Sequence, residues 1–198
     1  MWNQKFILAV LLLSQCQIVL GDGDPVAGKQ KALLCVQCHG IDGHSADPKI
    51  PKLAGQLESY IISETIKFKT KIRNDPMMSG MSNVVENPQD LEDIAAYFAA
   101  QPVMTGRPVT SSLFSEGEEL FTTFRCNFCH GEGGKRFAPF IDPSVPIIGG
   151  QHKTYIFKAL NDIKDNKRPG DVYDMMIKLL NPLTARQIEA IAEYLSGL

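Results

Sequence analysis

Cys35-Val36-Gln37-Cys38-His39 and Cys126-Asn127-Phe128-Cys129-His130 are two copies of one pattern, Cys-x-x-Cys-His, each followed by glycine. They begin 91 positions apart in a chain of 198 residues. Cysteines at i and i+3 face the same way on one helical turn. Their sulfurs can add to the two vinyl groups on one porphyrin edge, and the histidine that follows then lies beneath the ring and offers nitrogen to iron. The spacing therefore points to covalent c-type haem attachment, twice, through Cys35, Cys38 and His39 and through Cys126, Cys129 and His130. A four-cysteine zinc site would leave both histidines unexplained. A redox dithiol would call for a βαβ context, which the sequence does not offer.

The repeat extends beyond the motif. Pro51-Lys52-Leu53-Ala54-Gly55-Gln56 is matched by Pro146-Ile147-Ile148-Gly149-Gly150-Gln151, and a tyrosine follows four residues after each glutamine, Tyr60 and Tyr155. Near the ends, Ile94-Ala95-Ala96-Tyr97-Phe98 is matched by Ile191-Ala192-Glu193-Tyr194-Leu195. A repeat of this size means two copies of a small domain rather than a solenoid.

Each copy reads as helices and loops, an all-α fold. Asp24-Pro25 opens the helix carrying the first motif, and a capping box over Ser115 to Glu118 opens the helix carrying the second. Residues 56–71 and 151–165 read as middle helices. Asn87-Pro88 opens one closing helix, and Thr184 with Gln187 caps the other. The methionine-bearing stretches before the closing helices read as loops. Gln101 to Ser112, with Pro102, Gly106 and Pro108, reads as the linker. The expected domains are 22–104 and 105–198, each a small helical lobe around a covalent haem. The haem supplies the apolar slab that lobes of about 85 residues lack on their own.

Residues 6–13 read FILAVLLL after Lys5, and Val19 and Gly21 suit the small-residue rule before a cleavage site. Residues 1–21 are read as a secretory signal peptide. The apolar stretch is short and interrupted for a membrane anchor, which needs about 20 residues. Cys16 and the single tryptophan, Trp2, go with the signal. A periplasmic location follows, with peripheral membrane association left open.

The chain holds 22 acidic and 20 basic residues, a formal charge of −2, with 44% apolar and 21% charged residues. This balance does not suggest a nucleic-acid binder. Residues 22–104 carry 8 basic and 11 acidic groups, and residues 105–198 carry 11 of each. So mild an asymmetry predicts no strongly salt-dependent encounter with a partner.

The second axial ligand separates electron transfer from small-molecule chemistry, because iron with both axial positions filled by protein favours the former. His44 follows His39 too closely to reach the other haem face. His152 has Leu57 as its counterpart in the first copy. Both read as surface or structural residues. Methionines recur in both copies: Met77, Met78 and Met81 before one closing helix, Met175 and Met176 before the other.

Through these features the chain resembles the dihaem class I cytochromes c of the cytochrome c4 type over almost its whole mature length. Those features are the paired Cys-x-x-Cys-His-Gly, the two Pro-x-Leu/Ile-x-Gly-Gln blocks and the Leu91-Glu92-Asp93-Ile94-Ala95-Ala96-Tyr97-Phe98 helix. The family's Met-x-Gly-Met ligand loop resembles Met78-Ser79-Gly80-Met81, implying Met78. Counting back seven from Leu183-Thr184, as the family spacing implies, gives Met176. Met77, Met81 and Met175 stay as alternatives. Lobe one has Glu86-Asn87-Pro88 where the family has Leu-Ser, and lobe two lacks the glycine after its methionine. The resemblance also implies that the carbonyls of Pro51 and Pro146 accept a hydrogen bond from the axial histidines. Arg73 and Arg168 recur ahead of the methionines and stand as either propionate-binding or surface residues.

The function so implied is a periplasmic dihaem electron carrier, not an enzyme. Its expected partners are a quinol-oxidising complex or dehydrogenase upstream and a terminal oxidase or reductase downstream. Two other classes stay open: the cytochrome subunit of a dehydrogenase such as flavocytochrome c sulfide dehydrogenase, and a dihaem enzyme with one open haem.

Overall fold

The computed structural model describes residues 23–135 and 145–198. The expected signal peptide at 1–21 lies outside the described residues. Among those described, every regular element is helical, so the all-α expectation is met.

The first half runs α1 (Pro25–Lys31), α2 (Val36–His39), α3 (Glu58–Lys69), α4 (Pro76–Val84) and α5 (Pro88–Ala99). The second half runs α6 (Ser112–Thr123), α7 (Cys126–His130), a 3₁₀ turn at Glu132–Gly134, α8 (Lys153–Lys164), α9 (Asp171–Leu180) and α10 (Ala185–Ser196). Several starts follow from their caps. The Asp24 carboxylate accepts from the Val26 N–H, and the Asn87 side chain accepts from Gln89 N–H, each with proline in the first turn. Thr184 and Gln187 form the reciprocal capping box.

Three readings are corrected. The motifs ride on separate turns, α2 and α7, because α1 and α6 end at Lys31 and Thr123 before reaching them. Helix α6 starts at Ser112, capped by Ser111, whose hydroxyl accepts from Phe114 N–H, so the Ser115–Glu118 box is not its start. The methionines lie on helices α4 and α9 rather than on loops. Asp75 caps α4 by accepting from the N–H groups of Met77 and Met78, with Pro76 in the first turn, and no interior proline interrupts either helix.

Each half has its own apolar core. One gathers Ala32, Ile61, Ile94, Ala95, Tyr97 and Phe98. The other gathers Phe121, Ile156, Ile163, Leu180, Ile188, Ile191 and Leu195 among others. In both, the first helix crosses the closing helix at a glycine. A methyl group on Gly28 would sit 1.9 Å from the Asp93 carbonyl oxygen, and one on Gly117 2.0 Å from that of Ala190. Asp93 and Ala190 each immediately precede the matched isoleucines Ile94 and Ile191, so the same close crossing is built twice.

The connection between the halves, 102–110, has no regular structure but is well tied. Met104 is fully buried, and its N–H donates to the Ala54 carbonyl, 3.3 Å away.

Candidate functional site: paired cysteine-histidine motifs on a shared cavity

Helices α2 and α7 are single turns, so each Cys-x-x-Cys-His lies on one helical surface. Cys35, Cys38, His39, Cys126, Cys129 and His130 all line one cavity of about 600 Å3 that runs between the halves. None of the four motif cysteines is paired in a disulfide. Burial pushes the Cys35 thiol up and the Cys126 thiol up to about 11. A redox dithiol needs a stabilised thiolate, and these surroundings do the opposite.

Both motif histidines are buried and held alike. His39 Nδ1–H donates to the Pro51 carbonyl at 2.8 Å, and His130 Nδ1–H donates to that of Pro146 at 2.9 Å. Burial lowers the pKa of each ring. A neutral imidazole whose Nδ1 proton is engaged presents Nε2 as a free lone pair, the form a metal-binding histidine takes.

The methionine candidates line the same cavity: Met77, Met78 and Met81 from α4, Met175 and Met176 from α9. Met78, Met81 and Met176 are half-buried, whereas Met77 is 66% and Met175 62% exposed. Met176 packs against the core of the second half.

Where the halves meet, the cavity is polar. Arg168 is 4% exposed and Arg73 is half-buried, so neither is the surface arginine that stood as one alternative. Arg73 Nη2 donates to the Tyr155 hydroxyl and Arg168 Nη2 donates to that of Tyr60, each at 3.1 Å. Both guanidinium groups also bond Glu64 Oε2, at 2.6 and 2.9 Å. Tyr173 accepts from Arg168 and donates to Glu64 Oε1. Burial opposes the charge on Glu64, but Arg168 and Arg73 outweigh it and hold the carboxyl down at about 2. Arg168 lines the cavity, and its Nε is buried without a hydrogen-bond partner among the described residues.

The donor set fits a haem c in each half: two thiols one turn apart, a neutral buried imidazole, thioethers, and apolar walls. The orphaned Arg168 Nε–H is a buried cationic donor suited to a carboxylate such as a propionate.

Of the interface residues, His152 keeps the structural one of its two readings, and Glu64 was missed. His152 Nε2–H donates to the Ser45 carbonyl in the other half at 2.9 Å, so it ties the halves together. Glu64 has Ala159 as its counterpart and carried no signal. The matched positions of Tyr60 with Tyr155, and of Gln56 with Gln151, were a signal whose meaning lies in the interface.

Comparison with known proteins agrees with this geometry. The family description "Cytochrome c" matches residues 26–101 and again 114–198. Cytochrome c4 of Pseudomonas aeruginosa is 35% identical over 99% of this chain and 99% of its own length. The thiosulfate dehydrogenase electron acceptor of Thiomonas intermedia is 29% identical over 86% of this chain and 81% of its own. Among solved structures, reduced recombinant cytochrome c4 from Pseudomonas stutzeri superposes with a TM-score of 0.80 at 34% identity, covering 89% of this chain and 99% of that one.

Proposed function

The chain belongs to the cytochrome c family, as a two-domain member of the cytochrome c4 type with two covalent haem c groups, and we propose that it carries electrons in the periplasm between respiratory complexes. When bound, the haem irons supply a one-electron ferric/ferrous couple. Everything else falls to the chain. Cys35 with Cys38, and Cys126 with Cys129, would anchor the two porphyrins. His39 and His130 would ligate the irons, fixed in orientation and made more basic by the carbonyls of Pro51 and Pro146. Met78 and Met176 would supply the second protein ligand to each iron. Their half-buried positions on the cavity wall support them over the exposed Met77 and Met175. A neutral thioether favours ferrous iron and raises the potential.

The observation that carries this reading is the repetition of one site. In both halves a buried imidazole, hydrogen-bonded through Nδ1 to a proline carbonyl, shares a cavity wall with half-buried methionine. A site with two protein ligands on each iron suits electron transfer rather than substrate activation. No helix among the described residues is long and apolar enough to cross a membrane. The export signal proposed at 1–21 delivers the chain to the periplasm. Quinol-oxidising complexes or dehydrogenases would reduce it, and terminal oxidases or reductases would oxidise it.

An optical redox titration of the matured holoprotein, with haem stoichiometry, tests this. The expected result is two low-spin haems per chain, each with the methionine-to-ferric-iron charge-transfer band. One high-spin or methionine-free haem would overturn the carrier reading in favour of an enzyme.

A second reading draws on the likeness to the thiosulfate dehydrogenase electron acceptor: the upstream donor is a sulfur-compound dehydrogenase. Stopped-flow reduction by thiosulfate dehydrogenase with thiosulfate would discriminate. Reduction faster than by a quinol-oxidising complex supports it, and absence of reduction removes it.

A further inference from the structure

The peptide that holds each axial histidine is itself held by a glutamine from the other half. The Pro51–Lys52 amide accepts from His39 Nδ1–H through its oxygen, and its N–H donates to Gln151 Oε1 at 2.9 Å. The Pro146–Ile147 amide accepts from His130 Nδ1–H, and its N–H donates to Gln56 Oε1, also at 2.9 Å. Each glutamine closes a second bond to the same residue: Gln151 Nε2 donates to the Lys52 carbonyl at 3.0 Å, and Gln56 Nε2 to that of Ile147 at 2.7 Å. Both side chains are buried. Each Oε1 is further fixed by the next residue's N–H, from Leu57 or His152, at 3.0 Å.

We infer that Gln56 and Gln151 are crossed positioning residues: each sets the hydrogen bond on the axial histidine of the opposite half, and so sets that half's haem potential. A peptide whose N–H is engaged has a more negative carbonyl oxygen, because chained hydrogen bonds polarise one another. That oxygen accepts more strongly from Nδ1–H, pushes electron density onto the imidazole and favours ferric iron. Each haem's electronics therefore depend on the two halves being docked. A purely adhesive glutamine would bind the halves without touching the histidines' electronics.

The test uses the ferrous holoprotein and follows the two Nδ1–H proton resonances and the two midpoint potentials. Gln151→Leu is expected to move the His39 proton upfield and leave that of His130 in place. The lobe-one couple should rise by about twofold in its one-electron constant, about 18 mV at 59 mV per tenfold. Gln56→Leu should do the reverse, acting on His130 and lobe two. Gln151→Glu, which restores an acceptor, should keep the His39 proton at or downfield of its native position. His152→Ala loosens the same boundary without touching either amide, and should move neither proton. A shift in the substituted half's own histidine, equal shifts in both, no shift, or a shift reproduced by His152→Ala would each overturn the inference. It rests on His39 and His130 being axial ligands. Should that reading fail, the unsubstituted protein would already lack two low-spin haems.

Discussion

Arg73 Nη2 donates to the hydroxyl of Tyr155 across the boundary between the halves, 3.1 Å away, and the matched pair, Arg168 and Tyr60, makes the same bond in the opposite sense at the same distance. The exchange has the form of a two-fold interface between two copies, built within one chain. Glu64, which bridges both guanidinium groups, has no acidic counterpart in the second copy.

That bridge sets an acid limit on stability. Glu64 titrates at about 2 in the folded protein, against 4.5 for an ordinary glutamate. Its folded pKa lies below its unfolded one, so its contribution is complete above about pH 4.5 and is lost as pH falls toward 2. Glu64→Gln should flatten the acid-unfolding slope in that window, read by far-UV circular dichroism. An unchanged slope would remove Glu64 as the responsible group. At neutral pH the variant should also be less stable, by about 3 kcal/mol, since the buried Arg168 and the half-buried Arg73 lose their counter-charge.

Replacing a true ligand and replacing its neighbour should look different. Met78→Ala and Met176→Ala should each abolish one haem's methionine-to-ferric-iron band and leave that iron high-spin or weakly ligated. Met77→Leu and Met175→Leu, at exposed positions, should leave both bands intact. Loss of a band in Met77→Leu, or its survival in Met78→Ala, would reassign the ligand.

The glycine crossings leave no room for a methyl group. Gly28→Ala and Gly117→Ala would each bring Cβ to within 2.0 Å of a backbone oxygen on the closing helix. The helices must separate, at about 1–3 kcal/mol per site. Thermal unfolding of the holoprotein should fall in both variants, and an unchanged melting temperature in either would show that its crossing is looser than described.

Withholding haem should cost more than either substitution. The cavity of about 600 Å3 lies between two small cores. Without the haem, apolar walls on both sides lose their packing partner. A chain with all four motif cysteines replaced by alanine should show weak near-UV circular dichroism, the sign of unfixed tertiary packing. A strong near-UV signal in that chain would refute this.

Much of the site is legible because its chemistry is local. Cys35, Cys38 and His39 meet within one helical turn, and any chain that forms that turn presents them together. The caps at Asp24, Asn87 and Thr184 are also decided over two or three residues. The helices carrying the methionines are less legible. Asp75-Pro76 carries the same cap-and-proline signal as Asp24-Pro25, and the loop reading passes over it, whereas α9 starts at Gly170 with no side-chain cap to mark it.

The sequence alone thus determined two helical lobes, two attachment motifs and a short list of axial ligands, since these depend on spacings within each repeat. What joins the lobes was decided by tertiary structure. Gln56 meets Ile147, Gln151 meets Lys52, and Arg168 meets Glu64 across separations of 91, 99 and 104 residues. Residues that far apart become partners through the docking of two finished surfaces. A linear pattern records that Gln56 and Gln151, or Tyr60 and Tyr155, recur. It takes the interface to show that each serves the other copy.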